Sequence, residues 1–453
     1  MRSSKQLLTF LVIVILALGF KTEVYSQWTL AGLVSNPGTF PSISVVDQNV
    51  IWVAGGPTGT PVVARSTNGG VNWTNMPTNG ILLEVYCVWG IDENTAYVGD
   101  GGAAGGAGGN ARFYKTTNAG ANWTEVGSTG GSAGFFNGIV FSKTQPTFGV
   151  AQSDPPLGAG QPYYFSVTTD GGSTWTPTAP PGFAGTASAQ NSIVCLDNQF
   201  YGFGSNTSPP SLIYTSNGGT NWAKIGTSVA GNFTSGVAFS TDKQRGLVAS
   251  STSLPQVSRT TDGGLTWTTV VAQAGVTGYA TIKWIEGTNT VYMSGQVGAA
   301  GVIEKSTDGG LTWSVMTTSS LTGVTHMEFR RVGTTVYGFA VTSNGAVLKL
   351  VETVTTVNNI SSSVPADYKL DQNYPNPFNP STTINFSIPN SSKVNLTVYN
   401  SLGKEVSTLV DEFLNAGSYS TKFTASSDLT SGIYFYTIKA GNFTETKKLM
   451  LVK

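Results

Sequence analysis

From Gln27 to Leu350 the chain is written in short runs where apolar and polar residues alternate, such as "VYCVWG", "TAYVGD" and "ARFYKT" in residues 85–116. Each run is bounded by Gly, Asn or Asp. Period-two alternation between such breakers predicts strands joined by tight turns, and no window carries an apolar stripe of helical period. One layout recurs: an alternating strand, a polar turn, a second strand ending near Gly, a variable loop, a third strand, a fixed motif, and a fourth strand led by Trp.

The motif sets the period. Six copies read in order "STNGGVNW" ending at Trp73, "TTNAGANW" at Trp123, "TTDGGSTW" at Trp175, "TSNGGTNW" at Trp222, "TTDGGLTW" at Trp267 and "STDGGLTW" at Trp313, with Trp spacings of 50, 52, 47, 45 and 46. A worn seventh copy, "TSNGAVLKL" from Thr342, lacks the Trp. At the other end "QWTLAG", from Gln27, resembles the fourth strand that each motif leads into but has no motif before it. A tail without a head at the start and a head without a tail at the end predict a closed ring. The first strand completes the last repeat, giving seven four-stranded blades over residues 27–350 and leaving no open sheet edge.

The motif falls in the hairpin between the third and fourth strands. Asp or Asn folds its side-chain oxygen onto nearby backbone N–H groups, the hydroxyl residue two before it joins that bonding, and Gly supplies positive φ. The Trp is expected to fill the space toward the neighbouring blade, where burying it is worth about 3 kcal/mol. Three copies carry Asp170, Asp262 and Asp308, and three carry Asn68, Asn118 and Asn217. A metal ligand or general base tolerates that exchange poorly; a turn former tolerates it well.

These copies resemble the Asp-box, or BNR repeat (S/T-x-D-x-G-x-T-W), of sialidases, xyloglucanase-type glycosidases, sortilin-like receptors and photosystem II assembly factors. The resemblance implies a β-propeller in which the box is a structural hairpin lying away from the ligand site. It does not imply one function.

The repeat stops at Val351. Residues 351–367, rich in Thr, Ser, Asn and Val, read as a linker, and residues 368–453 as a second, compact domain. Alternating segments "INFSI", "VNLTVYN" and "YFYTIKA" between Pro, Gly and Asn clusters predict a small antiparallel, Ig-like β-sandwich, with "NSLGKEV" as a hairpin turn. This stretch resembles the type A C-terminal sorting domain of the type IX (Por) secretion system of Bacteroidota. The likeness is carried by Pro375, Asn376, Pro377 and Phe378, by Gly403 after Leu402, by Gly432 and Tyr434, and by the Lys-rich end. It implies the secretion machinery as partner, passage through the periplasm, and a final place on the cell surface or outside the cell. An Ig-like binding module is the alternative reading of the same segment.

The first 26 residues agree with export. Arg2 and Lys5 precede an apolar run from Leu7 to Phe20 and a small-residue site ending at Ser26. That run is shorter than the roughly 20 residues that span a bilayer, so a cleaved signal peptide is expected and no membrane anchor. Without it the chain carries 21 basic and 23 acidic side chains. A charge so near zero excludes electrostatic recognition of nucleic acid. The two cysteines, Cys87 and Cys195, fall two repeats apart and are expected to be free buried thiols rather than a bridge.

Candidate chemistry is sparse. The loops between second and third strands, and those between blades, lie opposite the motif hairpins, and the former hold only two carboxylates, Asp100 and Asp154, in consecutive blades. A paired-acid glycosidase needs two carboxylates about 5–10 Å apart, which these two loops could supply; such residues more often solvate or cap a loop, and catalysis by Asp100 and Asp154 is the alternative. Only six arginines after residue 26 and no "FRIP"-like segment argue against sialidase chemistry. The single histidine, His326 beside Glu328, reads as a partly buried strand residue, and one His with two distant Cys supplies no zinc site. "GGAAGGAGGN" precedes no helix and is not a phosphate cradle. Phe135, Phe136, Tyr163, Tyr164, Phe183 and Tyr279 are candidates for a stacking platform. The sequence thus points to an all-β, seven-bladed propeller followed by a sandwich, exported, and binding a glycan or protein without cofactor or metal; the alternative is an Asp-box glycoside hydrolase.

Overall fold

The computed structural model describes residues 28–453, apart from short segments at 58, 103–108, 179–182, 207–210, 227–233, 251–255, 273–274, 299, 322, 355–356, 362–363, 415 and 427–428. The expected signal peptide lies outside the described residues. Every described element is a strand.

Seven four-stranded antiparallel sheets form the blades. Their first strands are Ser42–Val45, Val85–Gly90, Phe136–Phe141, Ala187–Cys195, Thr234–Phe239, Thr277–Trp284 and Val324–Val332, numbered here as blades 1 to 7. Each first strand touches that of the next blade, and blade 7 touches blade 1, so these strands line the axis of a closed ring. Closure is as the sequence predicts: Thr29–Leu33 pairs with Ala346–Thr353 as the outer strand of blade 7, with Thr29 opposite Lys349 and Leu33 opposite Ala346. Trp28, buried, anchors that strand edge-on against Tyr292 and Phe329, at 6.1 and 5.8 Å between ring centroids.

The motif tryptophans join the blades. Trp123 of blade 2 packs on Trp52 of blade 1 at 6.4 Å, Trp175 of blade 3 on Phe113 of blade 2 at 5.0 Å, and Trp222 of blade 4 on Phe165 of blade 3 at 5.3 Å. Trp73, Trp267 and Trp313 sit in clusters that likewise reach into the preceding blade. In every hairpin the hydroxyl oxygen accepts the N–H four residues on, as in Thr260 Oγ1 from Gly264 at 3.0 Å, and the Asp or Asn Oδ1 accepts another, as in Asp262 from Thr266 at 2.9 Å. The Asp/Asn exchange has a physical partner. Where the motif has Asp, the residue four on is Thr, whose hydroxyl donates to the second carboxylate oxygen (Thr174, Thr266 and Thr312, at 2.7, 2.5 and 2.6 Å). Where it has Asn, whose second terminal atom is itself a donor, that residue is Asn72, Asn122 or Asn221.

The C-terminal unit is a sandwich of two four-stranded sheets. The linker is shorter than expected: the last blade strand runs to Thr353, and Asn358–Ser361 already pairs with Gly417–Thr424 of the sandwich. Phe378 is buried in its core against Phe423, its N–H donates to Met450 O at 2.9 Å, and Asn376 Oδ1 accepts the Met450 N–H at 2.9 Å. The Pro375–Phe378 segment thereby covers the end of the last strand. Gly403, at φ 74°, turns the hairpin between Ser392–Asn400 and Glu405–Leu414, and Tyr434 donates to Thr430 O at 2.8 Å beside Gly432 at the start of its strand.

Candidate functional site

On the face opposite the motif hairpins the axis opens into a funnel of about 740 Å³. Its wall has a specific backbone origin. Six of the seven first strands break register near their funnel ends, between Val85 and Cys87, Phe136 and Gly138, Ser188 and Ile193, Thr234 and Gly236, Thr277 and Thr281, and Val324 and His326. A bulge leaves its extra residue unpaired and re-aims the side chain. In every case residues from the bulge line the funnel: Tyr86, Asn137, Ala189–Asn191, Ser235, Ala280 and Thr325.

The widest bulge, in blade 4, crosses the axis. Gln190 Nε2 donates to Phe40 O at 2.8 Å and to Tyr86 O, while Asn191, at φ 59°, accepts from Ser42 Oγ at 3.1 Å. An Asn held in the left-handed region is a costly conformation kept by its surroundings. Ser235 is 7% exposed, lines the funnel, and its hydroxyl has no partner among the described residues.

The two carboxylates expected to work together are separated by their surroundings. Asp154 lines the funnel; Asn137 Nδ2, Ser188 N–H and Ser188 Oγ all donate to its Oδ1, at 2.7, 2.8 and 3.3 Å. Burial pushes its carboxyl up to about 6, against the lowering effect of those bonds. Asp100 is 0% exposed and does not line the funnel. Gly102 and Arg112 N–H groups donate to its Oδ1 at 3.0 and 2.8 Å, and Tyr114 to its Oδ2 at 3.0 Å, so its carboxylate closes the loop of blade 2. Asp100 thus takes the loop-capping role, and of the two only Asp154 lines the funnel. A further carboxylate that sequence reasoning missed, Glu84, is buried and receives the Tyr86 hydroxyl at 3.0 Å and the Gly59 N–H at 2.6 Å.

Of the six aromatics proposed as a platform only Phe135 lines the funnel, its ring centroid 4.5 Å from that of Tyr86. Phe136, Tyr163 and Tyr279 are core residues, and Tyr164 and Phe183 are partly buried against it. Phe40, 58% exposed, stands at the mouth.

Toward the hairpin face the axis is crossed by ion pairs that line a smaller cavity of about 180 Å³. Lys143 of blade 3 reaches Glu328 Oε1 of blade 7 at 2.7 Å and Phe329 O at 2.8 Å, and Lys283 of blade 6 meets Glu328 Oε2 at 2.9 Å. Burial alone would raise the Glu328 carboxyl; the two lysines hold it well below the usual range. His326 is buried, and its Nδ1 accepts the Ile43 N–H at 3.1 Å, which puts the ring proton on Nε2. Burial and Lys283 lower its pKa, so it is a neutral strut between blades 7 and 1. Cys87 and Cys195 are free thiols. Among the described residues no three His, Cys, Asp or Glu side chains gather as a metal site, and no helix is long and apolar enough to cross a membrane.

Residues 372–453 match the family model of the secretion system C-terminal sorting domain. No curated protein matches the chain significantly. Among solved structures, YCF48 bound to D1 peptide is similar at 16% identity and TM-score 0.51, covering 72% of this chain and 98% of that one. YCF48 from Cyanidioschyzon merolae is similar at 15% and 0.50, with the same coverage. An ancestral GH74 enzyme is similar at 14% and 0.52, covering 94% of this chain and 64% of that one. At such identities these likenesses establish the propeller fold alone.

Proposed function

From a chain that joins a seven-bladed propeller to a secretion system C-terminal sorting domain, we infer an exported binding protein whose funnel takes a segment of glycan. The sorting domain ties the chain to a secretion machinery and to the cell surface or extracellular space; on our reading this is the type IX system, and residues 368–453 are its recognition element. The observation that carries the binding reading is the ring of bulge residues lining one cavity, which brings together Asn137, Gln190, Asn191 and Ser235 with the aromatic Tyr86. Amides and hydroxyls match the donors and acceptors of sugar hydroxyls, and ring faces match their C–H surfaces. Hydrolysis by paired acids needs a second carboxylate. Asp154 is the sole carboxylate among the described lining residues, and the residues between 28 and 350 outside the described set include no Asp or Glu.

The test is a glycan array on the purified protein with parallel assays for released reducing ends. Bound glycan without hydrolysis, unchanged in Asp100→Asn, is the expected outcome. Release of reducing ends abolished by Asp154→Asn would replace binding with catalysis, in the manner of the glycoside-hydrolase reading.

A further inference from the structure

We propose that the glycan taken by the funnel carries protonated amines, an amino sugar with free nitrogen, and that Asp154 beside the Tyr86–Phe135 ring pair receives one of them. This rests on the glycan reading above and names its ligand class.

Charge balance makes the first argument. No Lys, Arg or His is among the described residues lining the funnel, and the residues between 28 and 350 outside the described set include no ionisable side chain. Asp154 is therefore a lone negative charge in a cavity. Its three donors, Asn137 Nδ2, Ser188 N–H and Ser188 Oγ, are all neutral and all on Oδ1. Among the described residues no bond to Oδ2 accompanies them, and that oxygen is not among the buried orphan atoms.

Geometry makes the second. The Asp154 N–H donates to Phe135 O at 3.0 Å, so the two residues are cross-strand neighbours where the first two strands of blade 3 reach the funnel, and Asn137 Nδ2 bonds both Phe135 O and Asp154 Oδ1. The Tyr86 ring packs against Phe135. An ammonium between a carboxylate oxygen and ring faces gains a charge-assisted bond and cation–π attraction together. A neutral sugar hydroxyl gains neither in full. The titratable groups around Asp154 fit this: Tyr163 donates to Ala187 O and is held protonated by burial, and Glu84 is walled off by its bonds to Tyr86 and Gly59. The raised Asp154 pKa is the cost of a buried charge without a counterion, and a cation relieves it.

The experiment is calorimetry on the purified full chain at pH 7 with three probes: a glucosamine hexamer, its fully N-acetylated counterpart, and a tetralysine peptide. The expected result is about tenfold tighter binding of the glucosamine hexamer than of the acetylated one, the size of a charge-assisted bond. Asp154→Asn, which keeps a side-chain oxygen for the three donors, removes that preference; thermal melts confirm that it folds. Phe135→Leu reduces the preference about threefold. Equal binding of both hexamers, unaffected by Asp154→Asn, overturns the amine proposal and leaves the glycan reading standing. Asp154-dependent binding of tetralysine with neither hexamer bound overturns both, as does no binding of any probe or array glycan.

Discussion

Replacing Glu328 by Gln removes the charge that two lysines share at the hairpin-face end of the axis. The contacts are 2.7 Å to Lys143 and 2.9 Å to Lys283. At an effective dielectric constant of about 20, each is worth about 6 kcal/mol of Coulomb attraction, from which desolvation of a nearly buried carboxylate takes back several. Gln keeps one oxygen for one ammonium but turns an N–H₂ toward the other, and the lysines, 29% and 17% exposed, relax partly toward solvent. The net loss expected is about 3 kcal/mol. All ten tryptophans precede residue 351, so their fluorescence in urea reports the propeller without the C-terminal domain. With a slope of about 3 kcal/mol per molar, the midpoint falls by about 1 M. The sign with pH comes from the depressed carboxyl: its contribution is complete above the unfolded value of about 4.3 and is lost as pH falls through the folded one. The gap between wild type and variant is therefore constant from about pH 8 to pH 5 and closes below about pH 4. A loss under 1 kcal/mol, or a gap that widens on acidification, refutes the account.

Two further changes address the hairpins. Ala119, at φ 62°, occupies a position where five other copies have Gly between 68° and 73°; relief of its Cβ in the left-handed region outweighs the freedom Gly gains when unfolded, so Ala119→Gly raises stability by about 0.5 kcal/mol, and an unmoved or lowered urea midpoint contradicts this. Asp262→Asn deprives Thr266 of its acceptor and lowers the melting temperature, while Asp262→Asn with Thr266→Asn recovers it; a double variant no better than the single one would show that the Asp–Thr and Asn–Asn pairings are unrelated.

Much of this architecture was legible because a repeat states the same local problem several times. Six copies of one hairpin reveal that Asp170 and Asn68 solve the same bonding task, which one copy would not, and the headless strand at Gln27 declares the closure. The Asp–Thr and Asn–Asn pairing is written in the repeats too, but its meaning needed the second carboxylate oxygen located against Thr266. The candidate site was less legible. Asp100 and Asp154 occupy equivalent loops in sequence, yet one closes its own loop and the other opens onto the funnel, because burial and donors come from neighbours that no local pattern names. Phe135 and Phe136 are adjacent and equally apolar, yet Phe136 opens the first strand of blade 3 and packs in the core while Phe135, just before it, lines the funnel.

The sequence by itself determined what is periodic and local: strands, hairpins, the tryptophan wedges between blades, the ring's closure, and the sorting domain at its end. Only the tertiary structure decided which residues face the axis. A bulge costs one residue of register and leaves no mark on an alternating pattern, and whether Tyr86, Asn137 or Ser235 meets a ligand depends on seven strands converging from positions some 300 residues apart.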